Sequence, residues 1–145
     1  MGSDYYSGVV VGIQIDEIGF DAEKISNRFE VHDKKGKPTG RFQTEEVWKV
    51  KFKGEEQLLE TLYEEDIENI IGIKKPLEII NINEYDNLYI DDILIGLTIV
   101  DGSGDDDTVV PFEYENQMKI VKELLFEQFG LVIEPKMYFY FYSRC

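Results

Sequence analysis

Hydrophobic and polar positions alternate at both ends of the chain and recur at helical spacing between them. Val9, Val11, Ile13 and Ile15 are interleaved with Val10, Gly12, Gln14 and Asp16, a period of two that predicts a strand over Tyr5 to Ile15. Gly8 and Gly12 within it point to a bulge or a close backbone approach. Residues 17–27 mix Gly19 with acids and predict a loop with room for one helical turn. Arg28 to His32 alternates again, with Phe29 and Val31 on one face. Lys34 to Gly40 has turn composition. Val47 to Lys53 is the clearest strand: Trp48, Val50 and Phe52 point one way, and Val47, Lys49, Lys51 and Lys53 the other. The two strands form a hairpin with a basic outer face.

Helical spacing follows. Leu58, Leu59, Leu62, Tyr63, Ile67, Ile70 and Ile71 predict a helix from Glu55 to Ile71, stopped at Gly72. Leu77 to Ile82 predicts a short strand. Leu88 to Val100 predicts a strand buried on both faces, with a short helix over Asp91 to Leu97 as the alternative. The stripe Tyr114, Met118, Val121, Leu125 and Phe129 predicts a second helix from Glu113 to Phe129. Glu115 and Lys119 are spaced as an ion pair on it, and Gly130 ends it. Lys136 to Tyr142 predicts a last strand, with the Phe139 and Phe141 face in the core and the Tyr138, Tyr140 and Tyr142 face covering a helix or half wet. The sum is an α+β domain spanning residues 1–145, a mainly antiparallel sheet of about six strands with two helices packed on it.

Charge changes this picture. The formal net charge is −15, yet residues 1–54 hold nine acids and nine bases, so the whole excess belongs to the later part. Between Lys75 and Lys119 there are eleven carboxylates and no base. Phosphates and anionic lipid surfaces would be repelled by that part, so neither direct nucleic-acid binding nor membrane binding is expected of it. No apolar run approaches the roughly 20 residues that span a bilayer, and no secretory leader is evident. The only cysteine is Cys145, so the cytoplasm is the expected compartment.

Candidate chemistry is sparse. Asp101, Ser103, Asp105 and Asp107 place oxygens at alternate positions of an acidic loop, as calcium ligands are placed, but the sixth and twelfth positions of an EF-hand are here Asp106 and Phe112. The plainer explanation of the loop is a solvated connection with Gly hinges. Glu134-Pro135-Lys136 resembles the Glu-x-Lys of one nuclease family, with Asp91 or Asp92 as the upstream acid. That would imply a magnesium site, against the plainer alternative of a strand entrance. His32 is the only histidine and has no visible nucleophile to serve. No phosphate-binding glycine loop and no zinc set is present, so no cofactor and no catalytic residue is expected. A metal-dependent nuclease is the enzymatic alternative.

Two binding modes remain. Rows of carboxylates on a folded surface resemble a nucleic-acid backbone in charge, and would dock on the basic groove of a nuclease or another nucleic-acid-handling protein. The contact candidates are Asp86, Asp91, Asp92, Asp101, Asp105, Asp106 and Asp107, with Glu64, Glu65 and Asp66 next. Small acidic α+β proteins of this type occur among phage anti-defence inhibitors and immunity proteins. The alternative is a small-ligand pocket lined by Tyr5, Tyr6, Tyr138, Tyr140 and Tyr142. Acidity that only keeps the chain dispersed explains the charge without either mode. Homodimerisation through the basic hairpin and the acidic remainder is also open.

Overall fold

A computed structural model describes residues 4–82, 92–103 and 113–144. In chain order it contains β1 (Asp4–Gln14), β2 (Phe20–His32), β3 (Pro38–Phe52), β4 (Glu55–Leu59), α1 (Glu64–Ile71), β5 (Glu78–Asn81), β6 (Ile93–Ser103), α2 (Tyr114–Phe129) and β7 (Lys136–Arg144). The class is α+β with antiparallel pairing, as expected, but the strands divide into two sheets. One has the order β5-β6-β1-β7 and the other β2-β3-β4. The division occurs where β1 ends. A 3-10 turn over Ile15–Ile18 and Gly19 in the left-handed region (φ 84°) redirect the chain, so β2 starts a new sheet.

Two expectations fail beside that turn. Residues 20–27 are strand and not loop: Phe20 and Ala22 point into the core while Asp21 and Glu23 point out, an alternation obscured by the acids and Gly19. The helix expected over Glu55–Ile71 is a strand followed by a shorter helix. Lys53 (φ 52°) and Gly54 (φ 85°) form a two-residue turn in the left-handed region, and β4 folds back on β3 from Phe52↔Glu55 to Trp48↔Leu59. Only from Glu64 does the chain become helical. Asp66 then accepts the Tyr63 N–H (2.9 Å), and Gly72 closes the helix with φ 64°.

One apolar cluster joins both sheets and both helices. Val11 and Ile13 of β1, Ile93 and Ile95 of β6, Val50 of β3, Ile67 of α1 and Val121 and Leu125 of α2 are all essentially inaccessible to solvent. Each such side chain contributes about 1.5–3 kcal/mol relative to exposure. Val10 and Leu94 are equally buried but lie outside that cluster, so β1 and β6 are covered on both faces, as the apolar run of β6 implies. At the centre of this sheet Gly12 pairs with Gly96. A Cβ on either glycine would collide with the backbone of the opposite strand, so the close approach there depends on both being glycine.

β7 is reversed relative to expectation. Met137 packs against the core, but Phe139 and Phe141 are 73% and 69% exposed. The Tyr face is the more covered one, for a reason in the register: Tyr140 stands opposite Gly8, and its ring lies over that bare backbone. Ion pairing on α2 also differs. Lys122 pairs with Glu134, and the Glu115–Lys119 pair is not among the ion pairs of the described residues.

Candidate charged interfaces

The base-free run from Gly54 to Ile73 builds the first surface. It contains Glu55, Glu56, Glu60, Glu64, Glu65, Asp66 and Glu68. Its apolar members Leu62, Ile67 and Ile71 are buried in the core, so the run is pinned from beneath and its carboxylates stay outside. α1 places Glu64 and Glu68 one turn apart, and both line an open groove of about 590 Å3 against β5, where Glu78 forms the facing side. Lys75 is the one base lining that groove, and it reaches Glu78 at 3.6 Å. The negative field of the groove is therefore held by three carboxylates against one ammonium. Acid in the first turn of α1 also suits the positive end of the helix.

Of the ten acids expected to make contacts, four can be assessed by side chain. Glu64 and Glu65 are exposed on α1, Asp66 is partly consumed in holding the Tyr63 N–H, and Asp92 stands half-buried just before β6. Asp101 belongs to β6, opposite Gly8, and not to a loop. Ser103 is likewise in β6, so half of the proposed calcium ladder is strand backbone. Asp86, Asp91, Asp105, Asp106 and Asp107 lie outside the described residues. Glu68 and Glu78 were missed because acids spaced through a helix and a strand gain a common groove only when α1 packs beside β5.

The nuclease-like residues are not brought together. Glu134 is engaged by Lys122, and Lys136 lies on β7 opposite Gly12. Asp92 is two strand spacings across the sheet and four residues along it, roughly 16 Å away on standard strand dimensions. Among the described residues no group of three or more His, Cys, Asp or Glu side chains could hold a metal ion. His32 is exposed at the end of β2. No described helix is long and apolar enough to cross a membrane.

The aromatic alternative has a structural use. Tyr138 is half-buried opposite Val10, and Tyr140 covers Gly8. Burial holds the Tyr138 hydroxyl proton above its ordinary pKa of 10.0, and the carboxylates of Glu17 and Asp16 push the same way. Register sets Tyr6 opposite Tyr142 and Tyr5 opposite Ser143, so Tyr5 is one residue out of step with the other four.

The second charged surface is the β2–β3 hairpin. Near the core its outer face is not basic. Lys51 stands between Asp21 and Glu56, and Lys49 stands opposite Glu23 and reaches Glu56 at 3.5 Å; on the other face, beside Trp48, Lys24 meets Glu46 at 3.0 Å. Beyond the Trp48–Leu59 pair β4 has ended, and β2 and β3 continue as a two-stranded arm to the turn at Lys34-Lys35-Gly36. Asp33 organises that turn by accepting the backbone N–H groups of Lys35 and Lys37, both at 2.9 Å. Glu30 accepts the Gly40 N–H at 3.1 Å. Arg28 lies over the ring of Phe42, 4.5 Å from its centroid. Comparison of the chain with protein-family models, with curated proteins and with solved structures returns no match, so these surfaces are interpreted on their own chemistry.

Proposed function

We propose that this protein is a non-enzymatic inhibitor or decoy that docks, through its acidic α1 surface, on a basic nucleic-acid-binding surface of another protein, in the manner of anti-defence and immunity proteins. The observation that carries the proposal is the groove between α1 and β5, where Glu64, Glu68 and Glu78 converge on a scaffold fixed by buried Ile67 and Ile71. The helix backbone that bears these carboxylates is already anchored, so no backbone ordering is needed when a basic side chain enters between them. A one-signed surface also accelerates encounter with a cationic cleft. Nothing in the packing of Tyr138 and Tyr140 favours the small-ligand alternative, since the Tyr140 ring covers Gly8 and Tyr138 is half-buried opposite Val10.

The test is capture of partners at about 50 mM and about 500 mM salt, conditions between which surface attraction is largely screened. The wild-type protein is compared with a Glu65→Lys, Glu68→Lys double variant. The expected result is a nucleic-acid-handling protein retained only at low salt, released by added duplex DNA, and lost with the variant. Retention that ignores both salt and charge reversal would end the proposal.

A further inference from the structure

We infer that the free end of the β2–β3 arm is a binding element for duplex DNA, independent of the acidic groove. Between Arg28 and Arg41 the arm carries five bases, Arg28, Lys34, Lys35, Lys37 and Arg41, against two acids, Glu30 and Asp33. Both acids are occupied by backbone N–H groups of the arm itself. Among the described residues none of the five bases enters an ion pair. The tip therefore carries three net positive charges in a chain whose total is −15.

The total charge argues against a phosphate ligand only if the acidic body lies within reach. Eight residues of β2, Ile25 to His32, separate the last three-stranded position from the turn. At about 3.3 Å per residue the tip stands about 25 Å beyond the sheet. The Debye length at physiological ionic strength is about 8 Å, so the body's repulsion at the tip is screened about threefold over in length. A lysine-protected edge strand, the simpler explanation of basic residues in a hairpin, suits Arg28 and Arg41, because beyond Leu59 both β2 and β3 are edges; Lys49 and Lys51 sit on β3 between β2 and β4. It does not account for Lys34, Lys35 and Lys37, which crowd the turn itself and do not run along a strand edge.

Shape favours duplex DNA over other polyanions. The major groove is about 12 Å wide and admits a two-stranded β-ribbon. This arm is such a ribbon, with Arg28, Lys34, Lys35, Lys37 and Arg41 distributed along its outer half and Phe42 exposed beside them. The bases would neutralise phosphates on the groove walls, a contact that positions the protein without selecting sequence.

The experiment is fluorescence anisotropy of the whole protein with a labelled 20-base-pair duplex across a salt series. Five phosphate contacts predict a slope of log K against log salt of about −4.5. Lys34→Glu, Lys35→Glu, Lys37→Glu should bring the slope near −2 or abolish binding. Those side chains make no bond that shapes the turn, and circular dichroism confirms the fold. The Glu65→Lys, Glu68→Lys variant should bind at least as well as wild type, which separates this inference from the groove proposal. Three results would overturn it: no binding at 50 mM salt; equal or tighter binding to polyglutamate of matched charge; or a concentration-dependent dimer, dissolved by the lysine reversals, in place of DNA binding.

Discussion

β1 and β3 are both long strands in antiparallel sheets, and they occupy opposite environments. β1 is paired along its length by β6 on one side and β7 on the other, and Val10, Val11 and Ile13 are closed to solvent. β3 is comparably enclosed only from Val47 to Phe52, where β4 lies alongside or the core lies beneath. From Pro38 to Glu46 its one partner is β2. Body and arm thus divide the work of the chain. The body fixes geometry by burial, and its surface is free to be acidic because the apolar stripes of α1 and α2 hold it in place. The arm has little to bury, since a lone two-stranded ribbon is marginal in water. What shapes it is hydrogen bonding at its turn, the Thr39 hydroxyl donating to the Val31 carbonyl at 2.6 Å, and the Arg28–Phe42 stack.

The largest effect that separates the two regions is expected at matched glycines. Gly12→Val drives side-chain carbon into the Ile95 carbonyl and Gly96 Cα of the neighbouring strand, neither of which can move without breaking the β1–β6 ladder. The loss should be about 3 kcal/mol or more, read as a fall in the urea midpoint of unfolding. Gly36→Ala in the arm places a Cβ in open space and meets only the strain of φ +78°. The expected loss is about 1 kcal/mol, confined to the turn. Equal losses at both positions would mean that arm and body fold as one packed unit.

A smaller effect is expected from removing the arm. Joining Ser26 to Glu46, which are opposite each other in register, through an Asn-Gly turn deletes residues 27–45 and leaves a two-residue hairpin. No member of the main core cluster is lost. The shortened protein should unfold in one cooperative thermal transition, with stability within about 1 kcal/mol of the parent, and with DNA binding abolished. A body that no longer folds would show that the arm contributes to the core through contacts other than the β2–β3 ladder.

How much of this was legible in the sequence depends on whether local pattern or partner choice decides. β1, α2 and β7 follow from periodicity because their apolar positions repeat for many residues. β4 does not. Leu58 and Leu59 fit a helical stripe with Leu62, and the contrary signal was the turn pair Lys53-Gly54. β7 is apolar on both faces, so which face is covered was set by Gly8 in β1, more than 130 residues away in sequence. Charge could be counted but not paired: Lys49 and Lys51 were visible as bases, while Glu56 became their neighbour only once β4 formed. The α1 acids were legible as a group. Their groove with Glu78 was not, because it needs the packing of α1 against β5.

The smallest effect sharpens the comparison from the side of the body, at Tyr138. Its hydroxyl is partly desolvated and faces Glu17 and Asp16, so the folded state holds the phenolic proton more tightly than the unfolded chain does. As pH rises past the ordinary tyrosine value the unfolded chain releases that proton first. The unfolded state then binds fewer protons than the folded one, and stability falls with increasing pH. The stabilisation is complete below pH 10 and is lost as pH climbs toward the raised folded value. Tyr138→Phe removes this term and should flatten the melting temperature between pH 9 and pH 11 relative to wild type, while leaving it little changed at pH 7. Both proteins contain the other tyrosines, so the difference between their pH profiles isolates position 138. A parallel decline in the two profiles would place the alkaline sensitivity elsewhere. A decline in wild type alone would show that the β7 face expected to be half wet is desolvated at Tyr138, with Glu17 and Asp16 of the 3-10 turn adding to the effect.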